Sequence, residues 1–155
     1  MSTVRDRLAE AGHGLPPVAV ALGAYVPAVR TGALVFTSGQ LPMRAGELLA
    51  TGVVGAGVDL DLARTCAERC ALNALAAAAT VCDLDAVTRV IKVTGYVASA
   101  GGFTAQPSVV NGASELMAIA FGDQGRHARE AVGVAALPLG APVEVAIVLE
   151  VAAGL

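Results

Sequence analysis

Residues 143–151, Val-Glu-Val-Ala-Ile-Val-Leu-Glu-Val, set Val143, Val145, Ile147, Leu149 and Val151 on one parity and Glu144, Ala146, Val148 and Glu150 on the other. A period of two is that of an extended strand with one buried side. It also fixes the strand's register, because a slip of one residue would turn the apolar set outward. The run before it, residues 128–136, is apolar too, and Leu137-Pro138 and a Leu-Gly-Ala-Pro turn separate the two. Together they read as a β-hairpin with one arginine, Arg129, at its entrance and two glutamates, Glu144 and Glu150, on one side of its last strand.

The rest of the chain supplies elements for that hairpin to pack with. Thr3 and Asp6 form a capping box for a helix over residues 4–11, stopped by Gly12. Residues 28–30 and 34–38 read as two strands around the turn Thr31-Gly32-Ala33, and residues 42–57, with glycines at 46, 52, 55 and 57, read as irregular. The glycines of that stretch have the wrong order for a dinucleotide fingerprint and open no helix directly. Asp59 or Asp61 caps a long helix to about Val81, with Leu62, Cys66, Leu72 and Leu75 as its inner-face candidates. Residues 87–97 read as a strand, and Pro107 suits the first turn of a helix that reaches Phe121 and closes at Gly122.

This order predicts a single α+β domain over residues 1–155, with two helices on one face of a mixed, mostly antiparallel sheet. Val132, Val134, Ala146 and Val148 put apolar side chains on the second face as well. Two helices cover one face only, so a neighbouring copy is the expected cover for the other, and the chain is expected to be oligomeric.

Composition narrows the function. The net charge is −3, Lys92 is the only lysine, and 3% of the residues are aromatic with no Trp, so no electrostatic or stacking footprint for nucleic acid is present. The charged N-terminus has no apolar leader stretch and the longest apolar run is far shorter than a membrane span, which predicts a cytoplasmic protein without a membrane partner. Cys66 and Cys70 share a helix face, but with only His13 and His127 as histidines no second pair completes a metal site. Buried thiols acting as small hydrophobes are the expectation for them.

Several motifs in sequence order resemble the RidA/YjgF family. They are Leu34-Val35-Phe36-Thr37-Ser38-Gly39-Gln40-Leu41-Pro42, Tyr25 nine residues before that strand, Asn111 on the second long helix, and the block from Ala128-Arg129 through Leu137-Pro138 to Val151. The resemblance covers residues 25–151 and leaves residues 1–24 as an N-terminal extension outside the family core. It implies a chorismate-mutase-like α+β fold and a homotrimer whose three sheets form an inner barrel, with ligand clefts between subunits. The family's best-known activity, hydrolysis of reactive enamines and imines to 2-oxo acids and ammonia, is implied with no cofactor and no metal. Arg129 falls on the family arginine that clamps a substrate carboxylate. Ser38, Gly39, Tyr25 and Asn111 fall on cleft residues. Aligned without gaps from Leu137-Pro138, the family glutamate that positions the attacking water falls on Ala146, and a frequent family cysteine falls on Ala131.

Each of these residues also has a plainer reading. A guanidinium offers a carboxylate a fixed fork of donors, but at a strand entrance it can equally pair with Glu130 or Glu144. Ser38 and Gly39 suit a strand end, Tyr25 a half-buried aromatic, Asn111 a loop-fixing amide, and His127 an exposed loop. Ala146 offers no acceptor for water, and Glu144 lies on the same strand face roughly 6.6 Å away. The sequence therefore reads as a protein that binds a small 2-oxo or 2-imino acid between subunits, with weak or altered imine hydrolysis. The alternative is a competent deaminase using Glu144, and an endoribonuclease-like activity is disfavoured by the acidic balance and the few aromatic residues.

Overall fold

The computed structural model describes residues 1–153, so the last two residues of the expected domain lie outside the described residues. Helix α1 (Val4–Glu10) starts at the capping box, with Asp6 N–H bonded to Thr3 Oγ1 and Thr3 N–H to Asp6. The strands β1 (Ala28–Thr31) and β2 (Leu34–Thr37) form a hairpin, and the stretch read as irregular holds four two-residue pieces, β3 (Met43–Arg44), β4 (Glu47–Leu48), β5 (Val53–Val54) and β6 (Gly57–Val58). Helix α2 (Leu60–Ala78) is capped by Asp59, which accepts from Leu62 N–H at 2.8 Å. Strand β7 (Val87–Ala98), helix α3 (Gln106–Phe121) with Pro107 in its first turn, β8 (Ala128–Val134) and β9 (Val143–Val151) complete the chain.

The architecture is α+β with a mixed, mostly antiparallel five-stranded sheet in the order β1-β2-β9-β7-β8. This corrects the C-terminal hairpin. β8 does not pair with β9; it runs parallel to β7, while β9 lies antiparallel between β2 and β7. The reason is the helix between β7 and β8. A strand, a helix and a second strand form a crossover unit that sets the two strands parallel, and the connection over residues 135–142 is long enough to carry the chain back across β7.

The core lies between the sheet and its helices. Val143, Val145, Ile147, Leu149 and Val151 are all buried, as the alternation requires, and they meet Val90, Val93 and Val97 of β7 and the inner residues of α2 and α3. α2 is buried on every side from Cys70 to Ala78. Its contact face is built from small side chains, Ala63, Cys66, Ala67, Cys70 and Ala74, while Leu62, expected inside, is 38% exposed. Burial raises the Cys66 thiol to about 11 and pushes the Cys70 thiol well above its ordinary value, so both are inert core residues. α3 packs on α2 at Gly112, where an added Cβ would lie 2.2 Å from Arg64 O. The N-terminal helix joins this core through Val4 and Leu8, and Val4 N–H bonds to Asp85 at 2.7 Å. On the other sheet face Val29, Phe36 and Val132 are exposed and Ala146 and Val148 half-buried. No helix among the described residues is long and apolar enough to cross a membrane.

Candidate functional site

Arg129 stands on β8, the edge strand, and its parity turns it toward α3. One guanidinium nitrogen, Nη1, donates to Asn111 Oδ1 at 2.6 Å and to Ser114 Oγ at 3.3 Å. Ser114 Oγ lies 2.8 Å from His127 Nε2, and His127 Nδ1 lies 2.6 Å from Gly125 O. A carbonyl can only accept, so Nδ1 carries a proton; with the ring neutral, Nε2 accepts from the Ser114 hydroxyl, and that hydroxyl accepts from Arg129. The relay fixes one edge of the guanidinium. It leaves Nη2 and Nε, which meet no acceptor among the described residues, as a two-donor edge suited to a carboxylate.

The plainer alternative, a pairing of Arg129 with Glu130 or Glu144, is absent: Glu130 pairs with Lys92 at 3.0 Å, and no carboxylate lies within 4 Å of Arg129 among the described residues. His127, read as an exposed loop residue, is half-buried and belongs to this relay, and Asn111 bonds to Arg129 rather than to backbone. Ser114 was not legible as a site residue. Its signal was a helical spacing of three from Asn111, which places both on one face of α3.

A second cluster sits at the far end of β2. Ser38 N–H donates to Pro27 O at 2.8 Å and its hydroxyl to Val26 O at 2.6 Å, which pins the strand end to the segment carrying Tyr25. Tyr25 is 49% exposed and its hydroxyl accepts from Leu22 N–H at 3.1 Å. Gln40 continues onto β9 through paired bonds with Val145 of 2.8 and 3.0 Å. Between them, Gly39 N–H meets no acceptor among the described residues. A Cβ on Gly39 would lie 2.8 Å from Glu144 Cδ and Oε1, so only glycine lets this carboxyl lie flat against the turn. Glu144 is half-buried, and burial raises its pKa above the ordinary carboxylate value. Ala146, opposite Thr94, lies one step further along the same face.

The two clusters do not meet within one chain. Arg129 is level with Val93 and Ile147, whereas Glu144 is level with Tyr96, three residues along β7 and two strands across. That is roughly 10 Å in each direction, and the two side chains emerge from opposite faces of the sheet.

The family model described as "YjgF/chorismate_mutase-like, putative endoribonuclease" matches residues 5–151. The chain belongs to the YjgF/RidA family. Protein TCP17 of Trypanosoma cruzi is 42% identical over 149 residues, covering 95% of this chain and 93% of that protein. The structure of a "putative endoribonuclease" from Shewanella oneidensis MR-1 superposes with a TM-score of 0.93 at 32% identity, covering 96% of this chain and 99% of the other. RidA from the Antarctic bacterium Psychrobacter sp. PAMC 21119 superposes with a TM-score of 0.60 at 28% identity, covering 86% and 94% of the two chains. The YjgF/RidA match begins inside α1 and so takes in most of the segment before Tyr25.

Proposed function

We propose that this YjgF/RidA member hydrolyses small 2-imino acids to 2-oxo acids and ammonia in a cleft shared by two copies of the chain, within a homotrimer. The Arg129 edge of one copy would face the Ser38-Gly39-Glu144 turn of the next. The observation that carries this reading is Glu144. It is a half-buried carboxyl with a raised pKa, folded against a glycine beside an unbonded N–H, which is the environment of a general base. The distance between Arg129 and Glu144 in one chain supports a two-copy site, because one small ligand cannot span the sheet. The partly apolar second face offers a surface for the copies to share.

In this reading the free edge of Arg129 holds the substrate carboxylate and Gly39 N–H aligns it. Glu144 accepts a proton from water as the oxygen bonds to the imine carbon. The protonated Glu144 returns that proton to nitrogen, giving a carbinolamine. Glu144 then takes the hydroxyl proton as the carbonyl forms and delivers it to nitrogen as the carbon–nitrogen bond breaks, so ammonia leaves with the 2-oxo acid. Ala146 takes no part, and Glu144 supplies the acceptor that the alignment had assigned to position 146.

Two tests follow. Arg129→Ala is expected to weaken 2-oxobutyrate binding roughly ten- to more than a hundredfold, since a charge-assisted contact is worth about 1.5–3 kcal/mol. Asn111→Ala should weaken it less, because the guanidinium stays but loses its short anchor. Calorimetric titration reads both, and unchanged affinity in Arg129→Ala returns that residue to a purely structural role. For the reaction, an amino-acid oxidase supplies the imine and semicarbazide traps what is not hydrolysed. Arg129→Ala and Glu144→Gln should each be inactive alone. Refolded together as mixed trimers, they should recover roughly a quarter of the wild-type rate, because random pairing puts an intact Arg129 against an intact Glu144 in about one cleft of four. A mixture as inactive as its components would sink the shared cleft, and a wild type that binds 2-oxobutyrate without hydrolysing the imine would leave a binding protein.

A further inference from the structure

Residues 16–22, Pro-Pro-Val-Ala-Val-Ala-Leu, form a strap without regular secondary structure along one pocket, with no backbone hydrogen bond among residues 16–21. Leu22 N–H is latched to the Tyr25 hydroxyl. Beneath the strap is a mostly apolar chamber of about 430 Å³, floored by Leu41, Met43 and the α2 residues Arg69 and Asn73. That is the size of a small-molecule site. Asn73 Nδ2 ties the floor by donating to Leu41 O and Met43 O, each at 3.0 Å.

Arg69 is the unusual member. Its Nε donates to Met43 O at 2.7 Å, but no carboxylate lies within 4 Å of its guanidinium among the described residues. The neighbouring Glu68 is engaged with His13 at 3.8 Å, and Arg44 adds a second positive charge close by. Burial and that like charge both weaken the charged state of Arg69. A guanidinium carries five donors, so most of those on Arg69 are free at the wall of an apolar space. A partly desolvated cation without a counter-charge gains from an anion, and the apolar lining gains from a hydrocarbon.

We propose that this chamber binds an acid with an apolar chain, its carboxylate on Arg69 and its chain against Leu41 and the strap residues Val18, Ala21 and Leu22. The site is separate from the shared cleft in its cation: Tyr25 and Gly39 stand on its rim, but Arg129 is held at α3 by Asn111 and Ser114 and lines no part of the chamber. The strap, exposed at Val18, Val20 and Leu22 and free of backbone ties over residues 16–21, lifts from its latch at Leu22 to admit the ligand.

Hexanoate is the probe, titrated calorimetrically at neutral pH into the intact protein, with hexan-1-ol testing the charge and acetate the chain. Hexanoate should bind wild type and Arg129→Ala alike, and hexan-1-ol and acetate should each bind at least tenfold more weakly. Arg69→Gln should cost roughly tenfold or more. Because that variant also loosens the Met43 loop, Ala21→Phe is the second arm: it fills the chamber, leaves the loop ties intact and should abolish binding. Absence of hexanoate binding to wild type, or affinity unchanged in Arg69→Gln or in Ala21→Phe, overturns the proposal. Loss of binding in Arg129→Ala does so too, by moving the ligand to the shared cleft.

Discussion

Glu144→Gln is expected to lower imine hydrolysis by about 10²–10⁴-fold, the usual contribution of a positioned general base. The exchange keeps the shape against Gly39 and removes only the proton acceptor, so 2-oxobutyrate should still bind through Arg129. A kcat that falls with little change in KM separates this loss from one of substrate positioning. The wild-type pH profile supplies an independent check. Burial raises the Glu144 pKa, and the base works only when ionised, so activity should climb with pH through that raised pKa, above the range of an ordinary glutamate. Stability runs the other way. A carboxyl whose folded pKa exceeds its unfolded one favours the folded state least when ionised, so its unfavourable contribution grows as pH rises through that window and is complete above the folded pKa. Glu144→Gln should therefore be inactive and, at neutral pH, no less stable than wild type. A Glu144→Gln enzyme with wild-type turnover would remove Glu144 from the chemistry.

Gly112→Ala should be the most damaging single methyl in the molecule. The added carbon would lie 2.2 Å from Arg64 O and 3.0 Å from Arg64 C, and both are backbone atoms inside α2. A side chain could swing away, but a helix backbone cannot, so α3 must shift as a body. Overpacking commonly costs 1–3 kcal/mol, and this case should reach about 3 kcal/mol or more. For a domain of this length that lowers Tm by roughly 6–12 °C. Carboxylate binding should weaken in parallel, since α3 carries Asn111 and Ser114. A melting temperature within a degree of wild type would mean that the helices can separate at little cost.

Much of the fold was legible because its signals are local. The Thr3-Asp6 box, the Asp59 cap, Pro107 and Gly122 bound their helices from within a few residues, and the alternation over 143–151 placed the buried side of β9 correctly. Pairing was not local. Residues 128–151 resemble a hairpin because two apolar strands and a turn follow one another, and only the preceding strand and helix reveal that β8 belongs beside β7. The inner face of α2 was legible at Cys66, Leu72 and Leu75 and misled at one position: weighting by side-chain size picked Leu62, whereas close helix packing selected the smaller Ala63 and Cys70. At the site, single residues were visible and relations were not. Arg129, Asn111, Ser38 and Gly39 stood out as residue types, but nothing in their spacing put Ser114 and His127 behind the arginine, or Glu144 flat against Gly39. Those contacts join residues 13 to more than 100 positions apart, across elements whose docking sets them.

The position of β9 in the sheet bears on how the molecule is made. It follows every other strand in the chain, yet it lies between β2 and β7. A nascent chain that has completed β8 therefore holds a two-stranded ribbon and a parallel pair, each showing an open edge to the other with nothing yet to bridge them. Until residues 143–151 clear the ribosome, the two halves cannot share a ladder, and Gly39 has no Glu144 to receive. Emergence of the keystone strand is then the moment at which the domain becomes cooperative, and premature stops just before Val143 should yield sticky, protease-sensitive fragments rather than a smaller version of the same fold.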